Sequence, residues 1–295
     1  MNQREKGFLL LTSRLGNPER RVLTTAQLRT LSDRMRNMDK PDEDRELTPA
    51  DLTALGYNRE MALRITALLE EEELLTRYCA RGVRMGCIPI TRVSPEYPGL
   101  LRQRLGLDSP GCLWAKGDVS LLNTPAIALV GSRDLHSANR AFSEAVGHMA
   151  AEKGLTLISG NARGADRSAQ QACLEKGGRV ISIVADELSR QPILQNVLYL
   201  SEDNFDEPFS AQRALSRNRC IHALGQLVFV AQCSLGKGGT WDGTMRTLHF
   251  GWSPVACFRD GSEASNELEQ MGAYLIGVED LRDFSAPSQE ELTFF

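Results

Sequence analysis

No CxxC pair occurs in the 295 residues, and the seven cysteines (79, 87, 112, 173, 220, 233 and 257) are scattered and odd in number. With only four histidines, that pattern supports neither a structural zinc site nor a disulfide framework. Reduced, mostly buried thiols are expected. No apolar run approaches the roughly 18 residues needed to cross a bilayer. The opening MNQREKGFLLLTSRLG has only a short apolar patch, Gly7–Leu11, and no small-residue cleavage site. A soluble cytoplasmic protein without membrane contact is expected. Bulk positive charge is missing too: 34 Lys+Arg face 38 Asp+Glu, for a net charge of -4. Residues 1–124 hold 19 basic and 17 acidic groups, residues 125–280 hold 14 and 18, and residues 281–295 hold 1 and 3. Any site for a polyanion must therefore be a local cluster.

What is present is an ordinary globular composition, 42% hydrophobic and 24% charged, at a length suited to about two domains. Residues 1–80 read as helical. Leu28, Leu31, Met35 and Met38 recur at helical spacing, as do Met61, Ile65, Leu68 and Leu69. Thr48-Pro49-Ala50-Asp51 sets out a helix start, and Gly56 supplies a stop. The acidic stretch Asp39–Glu46 reads as a solvated linker and the run Glu70–Glu73 as an exposed helix face.

From about residue 120 the texture changes. Short Val/Ile/Leu-rich runs at 126–130, 155–158, 180–184, 227–231 and 255–258 lack polar alternation, as strands buried on both faces do. Helical stripes lie between several of them, such as Phe142, Ala145, Val146 and Met149, or Ala169, Ala172 and Cys173. The alternation predicts a doubly wound α/β domain with a mostly parallel sheet.

Ligands of such sheets sit beyond the carboxyl ends of the strands, and four loops there are unusual. The first strand runs into Gly131-Ser132-Arg133, where backbone amides, a hydroxyl and a guanidinium can surround a phosphate; a plain strand-to-helix turn explains it equally well. The second runs into Ser159-Gly160-Asn161-Ala162-Arg163-Gly164-Ala165-Asp166, with Asp166 placed to cap the helix or to hold the loop through its amides. The segment 209–221 concentrates Arg213, Arg217, Asn218 and Arg219, and guanidinium forks suit phosphate oxygens. Ion pairs with Glu202, Asp203, Asp206 and Glu207 are the alternative. The fourth loop, Cys233–Thr240, contains Gly236-Lys237-Gly238-Gly239. Ala231 stands where a Walker loop needs its first glycine and Gly238 where it needs Ser or Thr, so an NTPase is rejected. A glycine nest with a lysine, opening a helix at Thr240, remains a credible anion site.

No catalytic constellation matches these loops. Ser132, Ser159 and Ser201 lie outside any GxSxG context, and a lone His222 more often packs than acts as a base. Glu202 and Asp242 are the acids available for hydrolysis, with nothing in sequence to pair them. Phe209 and Trp241 read as core aromatics or, alternatively, as stacking platforms.

In this order the loops resemble the DprA/Smf family, DNA-processing proteins that bind single-stranded DNA and load RecA during natural transformation. The resemblance rests on AIALVGSR (126–133), LISGNARGAD (157–166), Ser201-Glu202, Phe209, SRNRCIHAL (216–224), the glycine-rich loop and Gly272-Ala273. SPEYP (94–98) and LWAKGD (113–118) are similar to the family's lead-in, and the likeness covers about residues 85–280. It implies a Rossmann-like α/β domain over 125–282, a small SAM-like helical domain over 1–82, a lead-in over 83–124 and a flexible tail over 283–295. It further implies a homodimer and a pocket of Gly131, Ser132, Arg133, Ser159, Gly160, Arg163, Asn218 and Arg219, with Gly238, Gly239 and Thr240 beside them. Arg163, Arg217, Arg219 and Lys237 are the expected phosphate contacts. The chain departs from the family at Gln170, Gln191-Pro192, Gln232 and the GKGGTWDGT loop, and reads as a divergent member without the C-terminal winged helix. The expected function is single-stranded DNA binding, with RecA as a further partner and no catalytic residue, cofactor or metal. Two rivals stay open: a nucleotide-cleaving enzyme of the LOG type, using Glu202 or Asp242, and an interaction module.

Overall fold

The computed structural model describes residues 1–36 and 47–282, so the Asp39–Glu46 linker and the 283–295 tail lie outside the described residues. The chain divides into two compact units. The first comprises Met1–Tyr97, Pro110–Trp114 and Glu202–Asp206, and the second the remaining residues.

The first unit is built on helices α1 (Gln3–Thr12), α2 (Thr25–Arg36), α3 (Pro49–Ala54), α4 (Arg59–Leu69) and α5 (Glu72–Arg84), followed by strand β1 (Cys87–Thr91). Capping explains several boundaries. Asn2 and Glu5 form a reciprocal capping box on α1, and Thr48 and Asp51 form another on α3, with Pro49 in the first turn. Leu11, Leu23, Leu31, Leu52, Ala62, Ile65 and Leu68 make one apolar core. The acidic run Glu70–Glu73, expected from the sequence to be one exposed helix face, is not one. It spans the α4–α5 junction, where Glu71 pairs with the buried Arg20 at 2.5 Å. Tyr78, Trp114 and Phe205 pack together, Trp114 edge-on to the other two rings, with centroids 4.7–5.6 Å apart. Gly82 leaves room for them, since a Cβ there would stand 2.9 Å from Trp114.

The second unit begins with α6 (Gly99–Leu105) and the later part of β2 (Cys112–Gly117). There follow β3 (Ala126–Val130), α7 (Ser137–Glu152), β4 (Thr156–Ser159), α8 (Ala165–Glu175), β5 (Arg179–Ile183) and β6 (Val197–Ser201). The chain then continues through α9 (Ala211–Ser216), α10 (Asn218–Leu224), β7 (Val228–Val230), α11 (Gly238–Phe250), β8 (Val255–Phe258), α12 (Glu263–Gln270) and β9 (Tyr274–Ile276). The strands lie in the order β2-β6-β5-β4-β3-β7-β8-β9, and every pairing from β6 to β9 is parallel. This is the predicted doubly wound α/β sheet. From β3 the chain winds one way through β4 and β5, and from β7 the other way through β8 and β9. Right-handed crossovers therefore put α7 and α8 on one face and α11 on the opposite one. Covered on both sides, β3 and β6 are buried at every residue, which is why no polar alternation marks them. Gly147 sets the α7–α8 spacing, because a Cβ there would lie 2.2 Å from the Ala169 carbonyl oxygen.

Candidate functional site

The reversal in winding at β3 opens a crevice at the carboxyl edge of the sheet, and the loops after β3, β4 and β7 converge there. A Cβ on Gly131 would fall 2.5 Å from the Ala165 methyl and 3.2 Å from that of Ala231, so one glycine touches both other loops. Gly164, at φ +89, has the Ser132 and Arg133 carbonyl oxygens 2.4 and 2.5 Å from its own imaginary Cβ. Only glycine meets both demands there. The Ser132 amide donates to the Gln232 carbonyl at 2.9 Å, and the Ala165 amide donates to the Ser132 carbonyl at 3.1 Å.

Gln232, read in the sequence only as a departure from the family, is the joint of this rim. Its Oε1 accepts from the His136 amide at 3.0 Å, and its Nε2 donates to the Asp134 carbonyl at 3.1 Å. A carboxylate could do the first but not the second.

Beneath the β4–α8 loop lies an acid–base pair. The Asp166 carboxylate, 6% exposed, accepts from the Ala162 amide at 3.1 Å and so holds the loop closed, one of the two roles expected for it. Burial pushes its carboxyl above the ordinary value, and the Arg217 guanidinium and the Ala162 amide pull the other way. Arg217, also 6% exposed, lies against Gly160, where a Cβ would collide with its guanidinium. Gly160 is therefore glycine to admit Arg217.

The arginine cluster thus splits by role. Arg213 donates to the carbonyls of Ala185, Glu207 and Pro208 and to the Ser201 hydroxyl at 2.7–3.0 Å, tying together the loops after β5 and β6. Arg217 follows one turn later at the α9–α10 junction, its amide donating to the Arg213 carbonyl at 3.0 Å, but its side chain is buried against Gly160 and does not share the partners of Arg213. Asn218 Nδ2 donates to the Gly239 carbonyl at 3.1 Å, fixing the start of α11. Arg219 turns to the Asp108 carbonyl at 3.1 Å and to Ser216.

Three cations face outward. Arg133 and Lys237 are exposed, and neither side chain has a hydrogen bond or ion pair among the described residues. Arg163 is exposed but pairs with Asp134 at 2.6 Å, the two side chains being 72% and 87% exposed. Asp134 is the acid that sequence reasoning missed, although it directly follows Arg133.

Two helix N-termini meet here and differ. The α8 end is plugged by two loops, Ala165 donating to the Ser132 carbonyl after β3 and Arg167 to the Ala162 carbonyl of its own loop. At α11, which begins at Gly238 and not at Thr240, a turn with positive φ at Gly236 and Gly238 presents the first helical amides. Those of Gly238, Gly239 and Thr240 precede the point where helical bonding satisfies an N–H, and none has another partner among the described residues.

His222, weighed as a base, is fully buried, and its Nδ1 pairs with the Thr247 hydroxyl at 2.8 Å. Burial holds it down to about 3. Phe209 is 57% exposed and so is not the core aromatic expected, while Trp241 is half-buried. Among the described residues no cluster of His, Cys, Asp or Glu is arranged to hold a metal, and no helix is long and apolar enough to cross a membrane.

A sequence model of the DNA recombination-mediator protein A family matches residues 89–285, through the β3, β4 and β7 loops just described. The chain belongs to this family. Among curated members of the DprA/Smf family it is 30% identical to the DNA processing protein DprA of Streptococcus pneumoniae over 182 residues, 57% of this chain and 64% of the relative. It is 30% identical to Protein Smf of Escherichia coli over 146 residues, 44% of this chain and 38% of the relative. The match thus spans less than two thirds of either curated relative. In three dimensions the chain superimposes on the X-ray structure of S. pneumoniae DprA with a TM-score of 0.70 and 25% identity, covering 97% of this chain and 99% of the other. It also matches the DNA processing protein A of Helicobacter pylori, a protein with a described single-stranded DNA binding mode, at a TM-score of 0.55 and 25% identity. That match covers 67% of this chain and 93% of the other.

Proposed function

We propose that this family member binds single-stranded DNA at the carboxyl rim of the sheet and catalyses no reaction on it. What supports the reading is the convergence of the β3, β4 and β7 loops, which bear two exposed, unpaired cations, Arg133 and Lys237, and the open amides of Gly238, Gly239 and Thr240. Phosphate oxygens are the natural partners of such a set. Arg163 joins it once Asp134 releases it. Gly131, Ser132, Ser159, Gly160, Arg217, Asn218 and Arg219 serve by shaping and holding the loops. Exposed Phe209 offers a base a stacking face. Asp166 and His222, whose protonation burial shifts, are hydrogen-bonded within the framework. A RecA partner, a homodimer, a cytoplasmic site of action and the division into domains at 1–82, 83–124 and 125–282 belong to the same proposal, on the strength of the DprA/Smf likeness.

Fluorescence anisotropy with a labelled oligothymidylate tests it. Binding weakens with salt, and Arg133→Ala with Lys237→Ala flattens the logarithmic salt slope by about 1.4, at roughly 0.7 per lost phosphate contact on a single strand. A double variant that binds with unchanged affinity and slope refutes the site. Release of base from nucleoside monophosphates refutes the non-catalytic half.

A further inference from the structure

A second basic feature lies next to the rim, on the outer side of the α7–α8 seam. The two helices approach closely because Gly147 faces Ala169 and Ala172. The small residues at the contact leave the longer side chains on either side as walls. The result is an open groove of about 440 Å³ lined in part by Arg140, Arg163, Arg167, Ser168, Glu144 and Glu175. Its cations gather at the end nearest the rim. Arg163 is on the β4–α8 loop itself, Arg140 Nη1 donates to the Ser168 hydroxyl at 3.0 Å, and Arg167 Nε donates to the Asn161 carbonyl at 3.3 Å. Each of the latter two bonds uses one of five guanidinium N–H groups and steers the fork without consuming it. Arg140 and Arg167 are exposed and have no acidic partner among the described residues. Further along, Glu144, one turn beyond Arg140 on α7, and Glu175, about two turns beyond Arg167 at the end of α8, close the basic stretch.

We propose that the groove is the exit track of the DNA strand: beyond the rim, Arg140 and Arg167 take about two further phosphates, and Glu144 and Glu175 turn the strand away from the sheet. The proposal rests on the single-stranded DNA reading of the rim and extends it with a direction and a length. Both arginines lie on helices, Arg140 on α7 and Arg167 on α8, outside the loops that carry the resemblance.

The test compares oligothymidylates of about 6 and about 30 nucleotides, the shorter filling the rim alone. Both are titrated into the full chain and into an Arg140→Ala, Arg167→Ala variant at several salt concentrations. The longer strand binds the variant about tenfold more weakly at low salt, with a salt slope shallower by roughly 1.4, while the shorter strand binds both proteins alike. Equal affinity of the two proteins for the long strand overturns the track. So does an equal loss for both strands, which would make the arginines part of a general positive field. Wild-type protein that binds neither strand refutes the rim reading, and with it the track. A thermal melt of the variant matching the parent excludes a folding defect as the cause of lost binding.

Discussion

Removing a single negative charge should make this protein bind DNA more tightly. Asp134 holds Arg163 at 2.6 Å with both side chains largely in solvent. Exposed pairs of this kind are worth about 0.2–1 kcal/mol. A phosphate that recruits Arg163 must first outcompete Asp134 and thus forfeits that amount. Asp134→Asn returns it, raising affinity by up to roughly fivefold, since about 1.4 kcal/mol corresponds to tenfold. One additional phosphate contact steepens the salt slope by about 0.7. The gain is largest at low ionic strength, because at about 0.15 M salt a surface charge is screened beyond roughly 8 Å. The fold is untouched, because the bond that Asp134 contributes to the loop runs through its backbone carbonyl, which accepts from Gln232. Anisotropy titrations of both proteins across a salt series decide the matter. An asparagine variant that binds no more tightly than the parent, with the same slope, refutes the idea that Asp134 restrains Arg163.

Two further predictions concern stability. His222 is held neutral by burial with a folded value of about 3, against an ordinary 6.5. The unfolded chain takes up a proton as pH falls below about 6.5 and the folded chain does not, so stability is full above 6.5 and lost towards 3, at up to about 1.4 kcal/mol per pH unit. Urea titrations should show His222→Leu with a correspondingly flatter pH profile, and parallel profiles would refute the assignment. Gly164→Ala forces a Cβ into the Ser132 and Arg133 carbonyls at a φ of +89. A loss of about 1–3 kcal/mol in denaturant unfolding is expected, and an unchanged midpoint would show that the loops do not meet as described.

Much of this architecture is legible in the residues themselves. The run 255–258 is a strand at its stated limits, and 126–130 likewise, because continuous apolar residues under two helical layers leave little ambiguity. The runs read at 155–158, 180–184 and 227–231 are displaced or trimmed at their ends, to 156–159, 179–183 and 228–230. Burial continues past the last ladder hydrogen bond, so apolar character overshoots the strand. Strand β6 went unread although Val197–Ser201 is wholly buried, since no helical stripe precedes it to set up the alternation. Strand β9 has three residues and an exposed Tyr274, too short and too wet for periodicity to mark. At the rim the glycines were recognisable as turns, but not what each makes room for. Gly160 accommodates a guanidinium from 57 positions further along the chain. The contrast between Arg217, buried, and Arg219, turned to Asp108, depends on a helix break at residue 217 that spacing alone does not reveal.

The Gln232 side chain gives the crevice an unusual kind of unity. Through it and its own carbonyl, one residue following β7 fixes the amides of Ser132 and His136 and the carbonyl of Asp134. The segment bearing Arg133 is thereby registered to a strand nearly a hundred residues away and not to its own neighbours in sequence. Neither half of the winding carries a finished crevice by itself, so fragments split within the 184–196 crossover should each lack it and regain it only when they reassociate.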